Sequence, residues 1–274
     1  MMRITLVPFA GLGNRLNAIS SAIALRERIG CEVEVQWPNT PDCQCEWSDL
    51  FEPIPGIPVY PLRKFHLIRR GRKYLGLPML LRRFVFDGCF KARKIHDKDF
   101  LLKPDCRYRN IYIDANRPFC PLPLPKMVSP YFRPIPELEQ RIHKVTDKFD
   151  RYTVGVHIRR TDHSVVIAAN PIEGFIKRMR EQLSAHSECL FYVATDDEAV
   201  KEMLRKEFPG RIITQPSVVL RRDSVKGMQD AVVEMFTLGR THAIIASRGS
   251  TFSELAARLY GIPNDYRPTD TQYK

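Results

Sequence analysis

No apolar run in the sequence reaches the roughly 20 residues that a helical membrane span requires. No secretory signal is visible either, and none is expected. Residues 1–10 form a short apolar run that meets a glycine loop at once, and they read as a strand. There are no internal repeats, no low-complexity tracts and no P-loop lysine pattern. The seven cysteines are odd in number and scattered, and none suggests a zinc site. Cys43 and Cys45 stand one residue apart, too close for tetrahedral coordination, and no second Cys/His pair mirrors them. They read as reduced thiols, and the expected location is the cytosol.

What is present is an ordinary globular composition, 44% apolar and 27% charged. At 274 residues the chain can form two modest domains or one large one. The net charge of +12 is unevenly spread. From Arg63 to Lys94 run Arg63, Lys64, Arg69, Arg70, Arg72, Lys73, Arg82, Arg83, Lys91, Arg93 and Lys94, opposed only by Asp87. Such a run suits an anionic membrane surface, or it is a solvated basic face. Nucleic acid is disfavoured: the nearby aromatics Phe65, Tyr74, Phe84 and Phe86 lie among leucines and read as core or interfacial residues rather than stacking platforms.

Periodicity divides the chain. Residues 3–7 read as a strand, Gly11, Leu12, Gly13 and Asn14 as a loop, residues 15–29 as a helix stopped by Gly30, and residues 31–37 as a second strand. Beyond Pro38 the signal blurs. Seven prolines between positions 118 and 136 preclude central helix or sheet there, so this stretch reads as the link between halves. The expected domains are residues 1–136 and 137–274. In the second half, strands at 152–158, 189–194, 211–214 and 242–246 alternate with helices at 137–149, 170–183, 198–208, 228–238 and 251–260. Asn170 reads as an N-cap followed by Pro171 at the first helical position. Alternation of this kind predicts an α/β fold with doubly wound parallel sheets.

Four loops follow predicted strands, where open parallel sheets bind ligands. His157, Arg159, Arg160 and Asp162 end one strand. Adjacent arginines there suit bidentate phosphate binding, or an ion pair with Asp162. Asp196 and Asp197 end the next, as metal ligands or as caps of the following helix. Ser247, Gly249, Ser250 and Thr251 open a helix, as an anion cradle or as plain N-caps. Gly11, Gly13, Asn14 and Arg15 lie after the first strand. They approach a dinucleotide fingerprint but carry Leu16 at the third glycine position, which disfavours an NAD enzyme.

The motif HIRRTD at 157–162 resembles the first motif shared by α1,2-, α1,6- and protein O-fucosyltransferases, the superfamily that includes the rhizobial nodulation enzymes. FYVATDD at 191–197 is similar to the second motif of the α1,6 enzymes, and residues 234–255, with the core GSTFSELA, to the third. GLGNRL at 11–16 resembles the acceptor-side loop near the start of many members. The three later motifs follow family order with about the family spacing.

This resemblance implies a GT-B fold of two Rossmann-like domains facing across a cleft, the first on the acceptor side and the second binding the donor. It implies fucose transfer from GDP-fucose, with inversion and no essential metal or cofactor. By match to the motifs, Arg159 meets the donor β-phosphate and His157 lies beside it. Ser250 and Thr251 supply phosphate-binding hydroxyls, Glu234 lies near the nucleoside, and Asp196 and Asp197 form an acidic pair beside the donor. Arg160 would help stabilise the departing diphosphate. The α1,6 enzymes carry a candidate basic glutamate shortly after the first motif, and residues 163–167 here contain none. Asp162 and His163 are the nearest substitutes, and the β-phosphate is a third. The expected acceptor is a glycan or lipid-linked oligosaccharide, met by a cytoplasmic enzyme at the inner membrane face, with no nucleic acid involved.

Overall fold

The computed structural model describes residues 1–62, 68–70, 73–75, 84–95, 99–103, 106–160, 170–216, 219 and 221–265. They cluster into two units. The first comprises Met1–Ile135 together with Arg222–Met228, and the second Pro136–Arg221 with Gln229–Lys274.

In the first unit, β1 (Arg3–Pro8), β2 (Glu32–Trp37), β3 (Val59–Pro61), β6 (Gly88–Lys91) and β7 (Asn110–Ala115) form a parallel sheet in the order β3-β2-β1-β7-β6. The helix α1 (Leu12–Ile29) joins β1 to β2. It ends on Gly30, whose φ of 67° is open to glycine and whose N–H returns to the Arg26 carbonyl. The basic stretch contributes a separate antiparallel ribbon, β4 (Ile68–Arg70) with β5 (Lys73–Leu75). Arg63, Lys64, Arg72, Arg82 and Arg83 lie outside the described residues, and Lys91, Arg93 and Lys94 are exposed.

One expectation changes here. Gly13 and Asn14, read as loop, are the second and third residues of α1, which begins directly after Gly11. Helix packing decides this. Leu12, Leu16 and Ile19 are buried, as are Asn17, Ser20 and Ser21, so α1 is enclosed on more than the one face its apolar spacing indicates. The proline-rich stretch read as the link between halves also packs. Phe119, Val128 and Phe132 are fully buried, and Ser21 Oγ accepts the N–H groups of Phe119 and Cys120 at 3.1 and 3.3 Å. Proline bars regular structure without barring packing.

Arg15 organises the turn after β1. Its side chain is wholly buried and lies over the Trp37 ring at 4.8 Å. It donates to the Ala10 carbonyl at 2.7 Å, to the Pro38 carbonyl and to Thr40 Oγ1. Ala10 has φ 69°, a left-handed conformation disfavoured for alanine, and the Arg15 bond to its carbonyl helps hold it.

In the second unit, β8 (Val154–Ile158), β9 (Phe191–Thr195), β10 (Ile212–Ile213), β11 (Ala243–Ala246) and β12 (Asn264–Asp265) form a parallel sheet ordered β10-β9-β8-β11-β12. Its helices are α2 (Pro136–Thr146), α3 (Ile172–Ala185), α4 (Glu198–Glu207), α5 (Val225–Gly239, begun in the first unit) and α6 (Thr251–Tyr260). Alternate residues Val154, Val156 and Ile158 of β8 pack with Phe191 and Val193 against Phe175 and Met179 of α3 and Leu204 of α4. This is the helical spacing read at 172–183. On β8, Gly155 leaves room for its neighbours: a Cβ there would lie 2.8 Å from Thr241 Oγ1 and 2.9 Å from Leu238 Cδ2.

Reading β8 to β12 as strands one to five gives the order 3-2-1-4-5. Chain direction across the sheet reverses between β8 and β11. The carboxyl ends of those two strands flank the crevice where Rossmann-like sheets bind ligands.

Arg15→Ala would leave three acceptors without their buried donor, each omission typically costing about 1–3 kcal/mol. Urea denaturation should show a stability loss of at least about 3 kcal/mol. An unchanged midpoint and slope would contradict the bracing role.

Candidate functional site

The loops after β8 and β11 are fastened to each other by one hydroxyl. Ser247, fully buried, accepts the Arg159 N–H at 3.1 Å and donates to the His157 carbonyl at 3.2 Å. Its own N–H also donates to that carbonyl, at 3.0 Å. A second clamp comes from Asn170, whose side chain accepts from the Arg248 N–H at 2.7 Å and donates to the Arg248 carbonyl at 3.3 Å. The expectation that Asn170 caps α3 is therefore corrected. Pro171 occupies the cap position, and the Asn170 amide is engaged across the site by residues 78 positions away.

A third link reaches β9. Asp196 Oδ1 accepts the Arg160 N–H at 2.6 Å, while Asp197 caps α4 by accepting the Ala199 N–H at 2.9 Å. The two aspartates thus divide between bracing the arginine loop and capping the helix. Among the described residues no group of three His, Cys, Asp or Glu side chains gathers as a metal site would.

Within this frame some buried polar atoms have no partner among the described residues. Ser250 occupies the N-cap position of α6, yet its hydroxyl makes no capping bond and no other. The residue is only 5% exposed. Thr251 beside it is exposed. His157 is buried against the Phe252 ring at 5.0 Å, and its Nδ1 is also without a partner. A native fold rarely leaves such groups unpaired, and each is a place where a ligand atom can bind. Both flank the β8–β11 crevice, beside the N-terminal amides of α6, which favour an anion.

Burial, helped by the Arg159 charge and opposed by Asp196, lowers the His157 pKa to about 4, so its imidazole is neutral near pH 7. Burial raises Glu234, on α5, to about 8, with Lys201 opposing and the Asp230 and Asp196 carboxylates adding to the effect. Lys201, itself buried, is paired with Glu198 at 2.9 Å. Glu234 therefore holds its proton at neutral pH. The arginine-bearing crevice faces an incoming anion without a competing Glu234 charge.

Of the residues singled out by sequence, His157, Arg159, Arg160, Asp196, Asp197, Ser250 and Thr251 lie at the carboxyl ends of β8, β9 and β11, with Glu234 on α5 of the same unit. Asp162 and His163 lie outside the described residues. Gly11, Gly13, Asn14 and Arg15 belong to the first unit, where Gly11 lies near Arg222. Sequence reasoning passed over the bracing roles of Ser247 and Asn170. Ser247 sits in a recognised loop, but nothing in its spacing reveals a bond to a strand 90 residues away.

No family model matches the chain, and no curated protein matches it. Solved structures do. A NodZ α-1,6-fucosyltransferase soaked with GDP-fucose is similar over 94% of this chain and 93% of its own, with a TM-score of 0.64 and 19% identity. A fucosyltransferase NodZ from Bradyrhizobium matches at TM-score 0.63 and 18% identity, over 93% of each chain. Arabidopsis thaliana FUT1, as a mutant in complex with GDP, matches over 98% of this chain and 71% of its own, with a TM-score of 0.62 and 15% identity. The chain has the mixed α/β fold of these fucosyltransferases, and at such identities the likeness is one of fold.

Between pH 4.5 and 8 the folded protein keeps the Glu234 proton that the unfolded chain releases. More protons are then bound in the folded state, so this residue's contribution to stability falls as pH rises through the window. Glu234→Gln should gain stability relative to the unaltered protein on going from pH 4.5 to pH 8, measured by urea denaturation at each pH. A mutant-to-parent difference independent of pH would place the proton elsewhere.

Proposed function

We propose that the protein is an inverting GT-B glycosyltransferase that moves fucose from GDP-fucose to a hydroxyl of a glycan acceptor, with the second unit binding the donor and the first the acceptor. The observation that carries this reading is the pair of unpartnered groups, Ser250 Oγ and His157 Nδ1, flanking Arg159 at the β8–β11 crevice. Fold neighbours whose structures hold GDP or GDP-fucose support the choice of donor.

In the proposed reaction the bond from the fucose anomeric carbon to the β-phosphate oxygen breaks, and the acceptor oxygen bonds to that carbon from the opposite face. Charge grows on the departing diphosphate. Arg159, Arg160, the Ser250 and Thr251 hydroxyls and the amides opening α6 stabilise it, acting where the charge develops. Asp162, His163 or the β-phosphate takes the acceptor proton. Asp196 brings the Arg160 backbone to its place, and no metal is needed, so activity survives EDTA. The turn bearing Gly11, Gly13, Asn14 and Arg15 shapes the acceptor side. A lipid-linked oligosaccharide acceptor would accord with the basic run from Arg63 to Lys94. That run would hold a cytoplasmic enzyme at an anionic inner membrane surface, an attachment read as salt-sensitive co-sedimentation with phosphatidylglycerol vesicles.

Thermal shift tests the donor. GDP and GDP-fucose should raise the melting temperature more than UDP, CMP or NAD, because a ligand that binds only the native state stabilises it. Arg159→Ala should weaken GDP by more than about tenfold, the effect of losing a charge-assisted phosphate contact worth roughly 1.5–3 kcal/mol. A larger shift with UDP or NAD, or unchanged GDP affinity in a folded Arg159→Ala protein, would overturn the reading.

A further inference from the structure

Gln215 is the most conspicuous polar side chain that the proposed chemistry leaves unused. It is 5% exposed, yet neither Nε2 nor Oε1 has a hydrogen-bond partner among the described residues. A buried primary amide with both ends unsatisfied lowers stability, and such groups are uncommon in native folds. Its place in the fold is specific. It lies two residues past β10 (Ile212–Ile213), so it stands at the same carboxyl edge of the second sheet as Arg159 and Ser250.

The sheet order supplies a ruler. From β11, whose following loop carries Ser250, the strands run β8, β9, β10. At roughly 4.8 Å per strand, three steps separate the Ser250 and Gln215 ends by about 14 Å. That is comparable to the span of an extended nucleoside diphosphate from terminal phosphate to base. A ligand with its diphosphate at the β8–β11 crevice can lie in either direction. Toward β12 it runs out of sheet after one strand, and there Asn264 has only its Oδ1 unpartnered, its Nδ2 donating to the Ser253 carbonyl, whereas both ends of Gln215 are unpartnered. Toward β10 it passes Asp196 and reaches Gln215.

The loop that carries Gln215 is also tied to α5. The Val219 N–H donates to Asp230 Oδ2 at 2.8 Å, and Asp230, also paired with Arg141, lies one helical turn before Glu234. The described part of the loop after Gln215 is therefore fastened to the helix that carries Glu234. An amide offers one donor pair and one acceptor. Because neither end is engaged, the long side chain can rotate toward a ligand without breaking a hydrogen bond.

We propose that Gln215 reads the base of the donor nucleotide at the carboxyl end of β10, taking a purine edge that presents a carbonyl oxygen beside an N–H. This rests on the reading of the β8–β11 crevice as a diphosphate site. Gln215 sets which base is accepted and leaves the phosphate contacts alone.

The test compares calorimetric titrations of the unaltered protein, Gln215→Ala and the near-isosteric Gln215→Met with GDP and with inorganic pyrophosphate. Both variants should bind GDP about tenfold more weakly, the effect of losing two buried hydrogen bonds, and bind pyrophosphate as the parent does. Without ligand they should melt at the same temperature or higher, since an unsatisfied amide has been removed. Unchanged GDP affinity, or equal losses for GDP and pyrophosphate, would overturn the assignment. Parent protein that binds pyrophosphate but no GDP would overturn it too, and parent protein that binds neither would show that the diphosphate reading had failed first.

Discussion

The site depends on the Ser247 hydroxyl. Strands β8 and β11 are neighbours in the sheet, but their loops diverge toward helices on different connections, and nothing in strand pairing holds the loops together beyond the last ladder bond. Ser247 does so by accepting from Arg159 and donating to the His157 carbonyl. The Ser247 side chain is fully buried, and its bond to the His157 carbonyl is closed to water. Asn170 clamps the next residue, Arg248, on both backbone atoms, and Asp196 holds Arg160. The arginine loop is thus fixed through its backbone from two neighbouring strands. Fixed this way, a cation has less to reorganise when an anion arrives.

Electrostatics complement this rigidity. Burial leaves His157 uncharged and keeps the proton on Glu234, so near neutral pH the carboxyl edge of the second sheet carries its arginines without either of those charges. The unpartnered Ser250 hydroxyl is a cost to the empty protein that a ligand would relieve. Such local violations of otherwise well-satisfied packing concentrate at functional sites.

Much of the second unit was legible in the sequence because its signals are local. Apolar runs of strand length, the helical repeat from Ile172 to Leu183 and the glycine stops each reflect geometry within a dozen residues. The motif residues around Arg159, Asp196 and Ser250 were legible for the same reason, since each sits at a strand end. The misreadings came from longer range. Asn170 looks like a cap by its neighbours, but its partner is Arg248. Gly13 and Asn14 look like loop, and burial of α1 carries them into the helix. The prolines at 118–136 correctly excluded central helix or sheet, a helix starting only on the last of them, but they gave no sign that Phe119 and Phe132 pack into the first unit. Ser247 and Gln215 carry no periodic or spacing signal. Their significance lies in partners made or missing in three dimensions.

The central claim is that the β8–β11 crevice is a diphosphate site completed by Ser250. Calorimetric titration of GDP against GMP, in the unaltered protein and in Ser250→Ala, addresses it most directly. The account predicts that GDP binds at least about tenfold more tightly than GMP, as a charge-assisted contact to the second phosphate requires, and that Ser250→Ala narrows the gap. Equal affinities for GDP and GMP, or a gap that survives Ser250→Ala undiminished, would contradict it.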